Sequence, residues 1–405
     1  MLKNLLRDRI LTDKERKNLA ILEVIRKHGP ISRTDISKVT EFNIVTVSNY
    51  INNYIKKGLA IEGDLDESTG GRKPVLVELN PNAAYVIGLG LNMFSMVGII
   101  VDLGTNVIYE IKRDKFPENS EEMINDLVAL TKELIEKSNV DKDKVVGIGI
   151  GVPGIIDERG KTIRWPGALG SKDLSVCMSI KDVFEKEFGL PTFVENDANA
   201  AVLGEKWLGF EEDVKHMVYM FSGVGCGIII DGNIYRGAAG AAGELGIHSS
   251  LPQHQDFVRS SALQLGRWEM DLGMKETIQG EINNGTESSL KELVSKGVEG
   301  LTLKEIINAA REGDAAAIKA IEEGGYNLGK KIAFLTNFLN PEVVIIGGGI
   351  EICGALLLDA IKLAIKEWSI EETASIVKVI PSAFGENSIA LGVVGIVVRE
   401  IFTQA

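Results

Sequence analysis

The sequence lacks the features that mark disulfide-rich, metal-binding and membrane proteins. Its three cysteines, Cys177, Cys226 and Cys353, are odd in number and far apart, which excludes a disulfide framework and a CxxC metal site. No uncharged apolar run reaches the roughly 18 residues that a membrane span needs, and charged residues interrupt the N-terminus where a signal peptide would be apolar. We therefore expect a protein of the reducing cytoplasm with no membrane partner.

The length of the sequence and the distribution of its charge bear on the number of domains and on the partners. Its 405 residues and 43.9 kDa exceed one compact core and predict two or three domains. The net charge of −13 argues against a nucleic-acid partner, but that charge is unevenly distributed. Residues 1–75 carry 14 Lys and Arg against 10 Asp and Glu, a net charge of +4, which leaves −17 for the rest. Such a split is typical of a basic module on an acidic body, although many solvated surfaces share it.

The first 60 residues contain the start and stop signals of three helices. A capping box at Thr12 begins the first helix, which ends at Gly29-Pro30. Ser32 begins a short second helix, and a third helix runs from Asn43 to Gly58. A short helix, a tight turn and a longer helix predict a helix-turn-helix.

Polar side chains crowd the third helix, although they have poor helical propensity. Asparagine can pair with adenine, and serine or threonine can contact phosphates or base edges. An isolated Asn-rich helix is more often a solvated face, but the surrounding helix-turn-helix pattern favours DNA binding. The predicted DNA contacts of this helix are Asn43, Thr46, Ser48, Asn49, Asn52 and Asn53, and the basic residues that would hold phosphates are Arg33, Lys56 and Lys57.

A β-wing is predicted after the third helix. Two alternating apolar stretches, Leu59–Ile61 and Val75–Leu79, flank a polar turn. The tip of that turn, residues 70–74, includes Arg72 and Lys73, and its extended cationic form would suit a minor groove. The same tip can serve as an interdomain linker, and the two interpretations are compatible.

From about Ala84 onward, strands and helices alternate, which predicts an α/β body. The stretch from Val101 to Tyr109 resembles that from Ile230 to Tyr235. This internal sequence similarity indicates two related lobes, and a cleft between lobes is a common place for a small ligand. The predicted strands are 86–91, 97–101, 145–150, 192–195, 217–221, 228–230 and 343–346, and the predicted helices are 119–138, 180–188, 303–312, 314–338 and 355–367.

Two glycine-rich segments of the body are candidates for ligand approach. Residues 147–154 end a strand at Pro153-Gly154, where glycines allow either close contact with a ligand or a tight turn. Residues 223–227 form a glycine-rich turn, which is as typical of hairpins as of phosphate loops.

Three polar residues of the body have the chemistry of a sugar site. Asn196 and Asp197 follow a strand and precede a small-residue helix, where one of them would cap that helix. Glu244 lies among glycines and alanines, where it can bond a compact polar ligand. An Asp, a Glu and an Asn together commonly bind sugar hydroxyls.

Six ordered segments make the sequence similar to the ROK family of bacterial sugar kinases and sugar-responsive repressors. They are the helix-turn-helix, the 70–74 tip, GIGIGVPG, VENDANAA, GAAGELG and VVIIGGGI. The resemblance that they carry extends over essentially the whole chain. The sequence resembles the repressor branch, such as the xylose and N-acetylglucosamine repressors. The resemblance implies a winged helix-turn-helix followed by a two-lobed, actin-like (ribonuclease H-like) sugar-binding body of the ATPase type.

The resemblance also implies site residues. Asn196 matches the family's sugar-binding Asn, and Asp197 matches its catalytic Asp. Two sugar-contacting glutamates match Glu244 and Glu269. The predicted effector-binding set is completed by Pro153, Gly154 and His248.

Departures from the family pattern predict that the chain is not an enzyme. Family kinases have an Asp-x-Gly-Gly-Thr phosphate loop where this chain has residues 90–94, GLNMF, and a threonine where it has Val224. Without a carboxylate to organise Mg²⁺ or a hydroxyl to contact the phosphate, phosphoryl transfer from ATP should be severely impaired. Asp197 would then hydrogen-bond the effector instead of acting as a general base.

Zinc is not expected either, so the prediction includes no metal and no cofactor. The family's three zinc-binding cysteines fall on Ser260, Ala262 and Arg267, none of which is a soft ligand. His248 and His254 are interpreted as solvated, with a shared metal as the alternative. In zinc's place, the loop would be stabilised by packing of Leu263, Leu265 and Trp268.

These observations predict a sugar-responsive, DNA-binding repressor of carbohydrate-metabolism genes. Residues 1–78 would form the winged helix-turn-helix, 79–195 the first lobe, completed by a helix at 388–405, and 196–387 the second lobe. A sugar between the lobes would change operator affinity by linkage. A homodimer is expected, with a tetramer as the alternative, since one helix-turn-helix reads half of a palindromic site. The rival functions are a sugar kinase with a DNA-binding module and a regulator that answers a protein partner or a sugar phosphate.

Overall fold

The computed structural model describes residues 11–65, 75–91, 95–113, 120–156, 163–166, 175–210, 214–221, 225–245, 272–297 and 301–405. The chain forms two compact units. Unit 1 comprises Met1–Trp165, Val176–Trp207 and Ile389–Ala405, and unit 2 comprises Pro166–Ser175 and Leu208–Ser388. None of the helices among the described residues combines the length and the hydropathy of a membrane span.

The described helices, in chain order, are α1 (Asp13–His28), α2 (Arg33–Thr40), α3 (Ile44–Lys56), α4 (Ser120–Lys137), α5 (Ile180–Phe188), α6 (Asp197–Gly204), α7 (Met274–Asn283), α8 (Lys291–Ser295), α9 (Leu303–Arg311), α10 (Ala315–Leu339), α11 (Ala355–Trp368), α12 (Glu371–Ile376) and α13 (Ser388–Gln404). The strands are β1 (Ile31–Ser32), β2 (Ala60–Leu65), β3 (Val75–Leu79), β4 (Tyr85–Leu91), β5 (Met96–Asp102), β6 (Val107–Arg113), β7 (Val145–Val152), β8 (Ile155–Ile156), β9 (Ile163–Pro166), β10 (Ser175–Met178), β11 (Thr192–Asn196), β12 (Met217–Phe221), β13 (Gly225–Ile230), β14 (Asn233–Ile234), β15 (Val343–Gly347) and β16 (Lys378–Pro381). Each body strand and helix predicted from the sequence is confirmed, with ends that differ by three residues or fewer.

The N-terminal part of unit 1 has the element order predicted for a helix-turn-helix with a wing. Residues 41–43 separate α2 from α3, and Glu41 has a left-handed backbone there (φ 59°). After α3, β2 and β3 pair antiparallel. The short β1, which the sequence pattern did not predict, adds to β3, so the sheet order is β1-β3-β2.

Capping residues position the three N-terminal helices. Thr12 and Glu15 form a reciprocal capping box at the start of α1, in which the Thr12 N–H donates to the Glu15 carboxylate at 2.7 Å. Ser32 and Asn43 cap α2 and α3 with their side chains. The predicted helix starts are confirmed, because a cap depends only on residues that are close in sequence.

The inward face of α3 consists of Val47, Ile51 and Tyr54, which are fully buried. The Tyr54 hydroxyl donates to the Asn18 side-chain oxygen of α1 at 2.9 Å. Tyr50, three residues after Val47 on the same helix, is only half-buried. Hence α3 packs on α1 through one apolar face and leaves its opposite face to solvent.

The body of unit 1 is built on a sheet whose described strands have the order β11-β7-β4-β5-β6. β4, β7 and β11 run parallel, and β5 and β6 continue from β4 as an antiparallel meander. One face of the sheet packs on α4 and α5 through a core that includes Ile87, Leu89, Leu127, Leu130, Ile148 and Phe184.

Glycines on the other face of this sheet make room for α13. A Cβ atom on Gly149 would lie 2.6 Å from the Val393 carbonyl oxygen, and one on Gly88 would lie 2.5 Å from the Ala390 carbonyl oxygen. Gly151 faces Ile389 of the same helix. The sequence interpretation of the 147–154 glycines, ligand approach or a tight turn, was therefore wrong for Gly149 and Gly151, which serve helix packing.

Unit 2 is built on a second sheet, whose described strands have the order β14-β13-β12-β15-β16. β12, β15 and β16 run parallel, and β13 and β14 form the antiparallel meander. The long helix α10 packs on α11, where a Cβ atom on Gly329 would lie 2.7 Å from the Ala364 Cβ. The strands of this sheet have the same order and directions as those of unit 1, as the internal sequence similarity implied.

Candidate effector and DNA contact residues

The end of β11 places Asn196 beside the loop that follows β7. The Asn196 side-chain oxygen accepts from the Asn199 N–H at 3.1 Å and so caps α6. Its side-chain nitrogen donates to the Gly154 carbonyl at 3.1 Å. Gly154 has φ 108°, a backbone conformation that favours glycine, and Pro153 before it is buried. The structure thus brings together three residues predicted to bind an effector: Pro153, Gly154 and Asn196.

Asp197 is the first residue of α6 and is buried. Its carboxylate accepts from the Ala198 N–H at 2.8 Å. The positive end of the helix dipole favours a negative charge at this position. Asp197 is therefore held in one orientation at the same strand end as Asn196.

Two neighbours of these residues, Glu195 and Asn199, were missed as site residues by the sequence reasoning. Glu195 is buried, and its carboxylate accepts from the Asn196 N–H at 3.1 Å and from the Asn199 side-chain nitrogen at 3.3 Å. The Asn199 side-chain oxygen is buried and has no hydrogen-bond partner among the described residues. A buried acceptor without a donor is costly, so this oxygen is a candidate for a ligand hydroxyl. The available signal was the spacing of polar residues at 195, 196, 197 and 199 across a helix start.

Glu244 lies in unit 2, next to β13. The Cys226 N–H donates to the Gly243 carbonyl at 2.9 Å, and Gly243 has φ 88°. Burial raises the pKa of Glu244 above its ordinary range. Burial, and then the charge of Glu244, raise the pKa of Cys226 to about 12, so this thiol is not a nucleophile at neutral pH.

Several predicted site residues fall outside the described part of the chain: Arg72, Lys73, His248 and Glu269, as do the positions aligned with the family's zinc cysteines, Ser260, Ala262 and Arg267. Among the residues that are described, no cluster of three or more His, Cys, Asp or Glu could hold a metal ion. The predictions for those residues stay predictions.

The predicted DNA contacts on α3 differ in exposure. Asn49 and Asn52 are exposed, whereas Thr46 and Ser48 are half-buried. Asn43 is exposed but accepts from the Thr46 N–H at 2.8 Å as the helix cap. The free polar face of α3 is therefore centred on Asn49 and Asn52.

Three predicted contacts have partners inside unit 1. The Asn53 side-chain nitrogen donates to the Ala405 backbone oxygen at 3.5 Å, and the Lys57 ammonium group also contacts that oxygen. Arg33 pairs with Glu62 of β2 at 2.8 Å. Sequence reasoning could not foresee these contacts, because each joins segments that only the fold brings together.

Ile44 and Val45 are candidate DNA contacts that the sequence reasoning missed. They begin α3 and are 44% and 65% exposed. The first residues of a recognition helix contact base edges, and an apolar side chain can pack on a thymine methyl group. The signal was two β-branched residues that do not share the face of Val47, Ile51 and Tyr54.

The element order of the N-terminal helices and the two matching sheets describe an α/β body joined to a small helical module. A family model described as the ROK family matches residues 86–400, and the chain belongs to the ROK family. The chain is 32% identical over 403 residues to the xylose repressor of Caldicellulosiruptor bescii, covering 96% of this chain and 97% of that protein.

Solved structures share the fold. A ROK-family transcriptional regulator, described as a homologue of the E. coli Mlc protein, is 24% identical, with a TM-score of 0.74 and coverage of 96% of both chains. A ROK-family glucokinase from Streptomyces griseus, in complex with glucose and AMPPNP, is 26% identical, with a TM-score of 0.64. It covers 80% of this chain and 100% of the glucokinase. The regulator thus matches nearly the full chain, whereas the kinase matches a smaller share.

Proposed function

We propose that this protein is a sugar-responsive, DNA-binding transcriptional repressor of carbohydrate-metabolism genes. The observation that carries the proposal is the exposed face of α3, with Val45, Asn49 and Asn52, on the same chain as a ROK body. Similarity to a xylose repressor along 96% of the chain supports it. A repressor works where the chromosome is, so the proposal includes a cytoplasmic location.

The effector contacts proposed in unit 1 are Asn196, Asp197 and Asn199, next to Gly154. Their amide and carboxylate groups are held by local hydrogen bonds, so little ordering remains when a polyol binds. Glu244 of unit 2 is proposed as a further contact from the sequence. A sugar that prefers one conformation of the protein shifts the population toward it and changes DNA affinity by the same factor.

The proposal includes no catalysis. Asp197 has the position of a general base, and the similarity to a glucokinase favours the alternative of a sugar kinase with a DNA-binding module. Against it, the chain has Gly90 and Phe94 where the kinase loop has its Asp and Thr, and Val224 in place of a second Thr. An assay with ATP, Mg²⁺ and xylose, glucose or N-acetylglucosamine should show no sugar-dependent ADP release. Turnover that Asp197→Asn abolishes would establish the kinase instead.

A homodimer is proposed because one helix-turn-helix reads only half of a palindromic site. Unit 2 exposes an apolar surface suited to a second copy, formed by Phe334, Phe338 and Ile370, which are 50%, 75% and 57% exposed. The two phenylalanine rings stack with centroids 6.1 Å apart. Asn337 accepts from the Ile370 N–H at 3.0 Å and so joins α10 to the start of α12.

The dimer is tested by light scattering after gel filtration. Wild-type protein should have about twice the mass of one chain. Phe338→Asp should reduce the measured mass toward that of a single chain, because a buried charge without a partner opposes association. Val183→Asp, at a 39% exposed position of α5, is the matched control and should leave the mass unchanged. A monomeric wild type, or an unchanged mass for Phe338→Asp, contradicts this surface; a mass of about four chains indicates the tetramer.

The regulatory function is tested by fluorescence anisotropy on a duplex that the wild-type protein selects from a random library. Xylose comes first in the sugar panel, followed by glucose and N-acetylglucosamine. We expect one sugar to raise the melting temperature and to change the Kd for the duplex. If no duplex is selected, the repressor proposal is wrong; if a sugar phosphate or a protein alone changes the Kd, the effector class is wrong.

A further inference from the structure

The helix that begins at the effector residues leads directly to a contact with the N-terminal helices. α6 starts after Asn196, and a π-helical turn, Glu205–Gly209, continues it without a break. Asn196 and Trp207 are therefore 11 residues apart on one segment, about 16 Å at about 1.5 Å per residue. All residues from Asp197 to Gly204 are buried, so the segment is packed on every side. A π-helical turn inside a longer helix often marks a functional position.

Trp207 contacts two residues of α1, Glu23 and Arg26. We call these three residues the Trp207 cluster. The indole N–H of Trp207 donates to both carboxylate oxygens of Glu23 at 2.8 Å. The Arg26 guanidinium lies 4.2 Å from the centre of the indole ring and donates to the Trp207 carbonyl at 3.2 Å. Arg26 also pairs with Glu23 at 3.1 Å, with side chains only 7% and 18% exposed.

α13 packs beside α6 and beside the π-helical turn that carries Trp207. At Gly392, a Cβ atom would overlap the Ala200 carbonyl of α6, and at Gly395 it would lie 2.7 Å from the Trp207 ring. Further along, the Thr403 carbonyl accepts from the Asn18 side chain of α1 at 3.5 Å. The buried Arg399 has a lowered pKa because of its burial, with the Arg26 charge adding to that effect and the Glu23 charge opposing it. Glu23 is thus the counter-charge near two guanidinium groups.

We propose that the Trp207 cluster couples effector binding at Asn196 and Asp197 to DNA binding by α3. The inference rests on the proposed function and names the residues that regulate it. Trp207, Glu23 and Arg26 are positioning residues in this proposal: they would act through α6 and α1 rather than by contacting sugar or DNA.

A close-packed helix moves as a body. A shift of α6 when a sugar engages its first residues must appear at Trp207, because the buried residues between them leave no room to absorb it. The cluster responds to such a shift because charge-assisted hydrogen bonds depend steeply on geometry. α1 carries the response to α3 through the Tyr54 to Asn18 hydrogen bond and the apolar contact of the two helices.

The test compares two tryptophan-to-phenylalanine variants. Trp207→Phe keeps an aromatic ring under Arg26 but removes the N–H that Glu23 accepts. Trp368→Phe is the matched control, since it removes an indole N–H that donates to the Tyr326 hydroxyl at 3.0 Å in unit 2. The probes are the selected duplex and the panel sugar that stabilises wild type most. The readout is the coupling ratio, the Kd for the duplex with sugar divided by the Kd without it.

We expect a wild-type ratio that differs from 1 by about fivefold or more. Trp207→Phe should bring the ratio to within about twofold of 1 while its Kd for the sugar changes by less than about threefold. Trp368→Phe should keep the wild-type ratio. A Trp207→Phe protein that binds sugar and retains the wild-type ratio overturns the inference.

Two further measurements keep the outcome decisive. Glu23→Gln removes the carboxylate from the other side of the contact, and it takes over the test if Trp207→Phe does not fold. In wild type, adding sugar should change amide hydrogen exchange in α1; no change there contradicts the inference. A wild-type protein whose DNA affinity ignores every sugar contradicts the proposed function itself, which is a separate result.

Discussion

The two units share one sheet plan but differ in the chemistry that the plan supports. In each unit, three antiparallel strands are followed by two parallel strands, β6-β5-β4-β7-β11 in unit 1 and β14-β13-β12-β15-β16 in unit 2. The last strand of each sheet leads into a helix. After β11 that connection carries Glu195, Asn196 and Asp197, whereas after β16 it is a 3₁₀ turn, Gly385–Asn387.

This difference shows that a repeated architecture does not repeat a site. The helix after β11 begins at the candidate effector residues and continues into the π-helical turn that carries Trp207. Most of the helix after β16, in contrast, belongs to the compact unit of the other sheet. The effector contacts proposed for unit 1 therefore depend on the residues at one strand end, and the fold supplies the scaffold that holds them.

The largest expected effect concerns the glycines that let helices approach. Gly392→Ala should lower the free energy of unfolding by about 3 kcal/mol, because its Cβ would overlap the Ala200 carbonyl. Gly280→Ala, in α7 of unit 2, has no atom within 4 Å of the new Cβ and should instead raise that free energy by up to about 1 kcal/mol. Urea unfolding measures both. Equal effects of the two substitutions would show that α13 does not depend on this close packing.

The next largest effect concerns the polar strand end of unit 1. Asp197→Asn should weaken binding of the stabilising sugar by about 10- to 100-fold, since a hydrogen bond to a charged group contributes about 1.5–3 kcal/mol. Isothermal titration measures the affinity. Asp182→Asn, in the first turn of α5, is the matched control and should leave it unchanged. Glu244→Gln tests the predicted contribution of unit 2 in the same way, and an unchanged affinity would remove Glu244 from the site.

A smaller effect separates two asparagines on α3. Asn49→Ala should cost about 1–3 kcal/mol on the selected duplex and little on random DNA, because a side chain that reads a base acts only on specific sequence. Asn53→Ala should affect both kinds of DNA alike, since the Asn53 side chain contacts the Ala405 oxygen. Competition anisotropy with the two duplexes measures the difference. The opposite ranking would place Asn53, rather than Asn49, against the bases.

The smallest effect, taken per pH unit, concerns a half-buried lysine of unit 2. Burial, and then the Lys330 charge, lower the pKa of Lys331 from 10.5 to about 8. Below pH 8 the folded chain carries this unfavourable charge, and between pH 8 and 10.5 only the unfolded chain keeps the proton. The free energy of unfolding should therefore rise with pH in that window, by at most about 1.4 kcal/mol per unit. Lys331→Met should remove this dependence in urea titrations at several pH values, and an unaltered slope would show that Lys331 is solvated.

Much of the fold could be predicted because its signals are local. Thr12, Ser32 and Asn43 cap the helices that their spacing predicts. The strands that begin at residues 145, 192 and 217 begin where apolar runs begin in the sequence. The candidate site was partly predictable for the same reason, since Asn196 and Asp197 are adjacent in sequence. Asn199 was missed because a helix-cap interpretation accounts for the motif without it.

The remaining features join residues that are distant in sequence. Gly149 and Gly151 look like a ligand loop until α13 is seen against them. Asn53 was predicted as a DNA contact from its place on α3, and the sequence could not show that its side chain also reaches the Ala405 oxygen, 352 residues away.

The sequence by itself determined where helices and strands begin, which family the motifs resemble and which polar residues stand at a strand end, because capping, periodicity and turn chemistry act over a few residues. Only the tertiary structure decided that Trp207 meets Glu23, 184 residues earlier, and that α13 packs along α6. Such contacts depend on the packing of the whole unit, where close fit rather than local preference selects the neighbours.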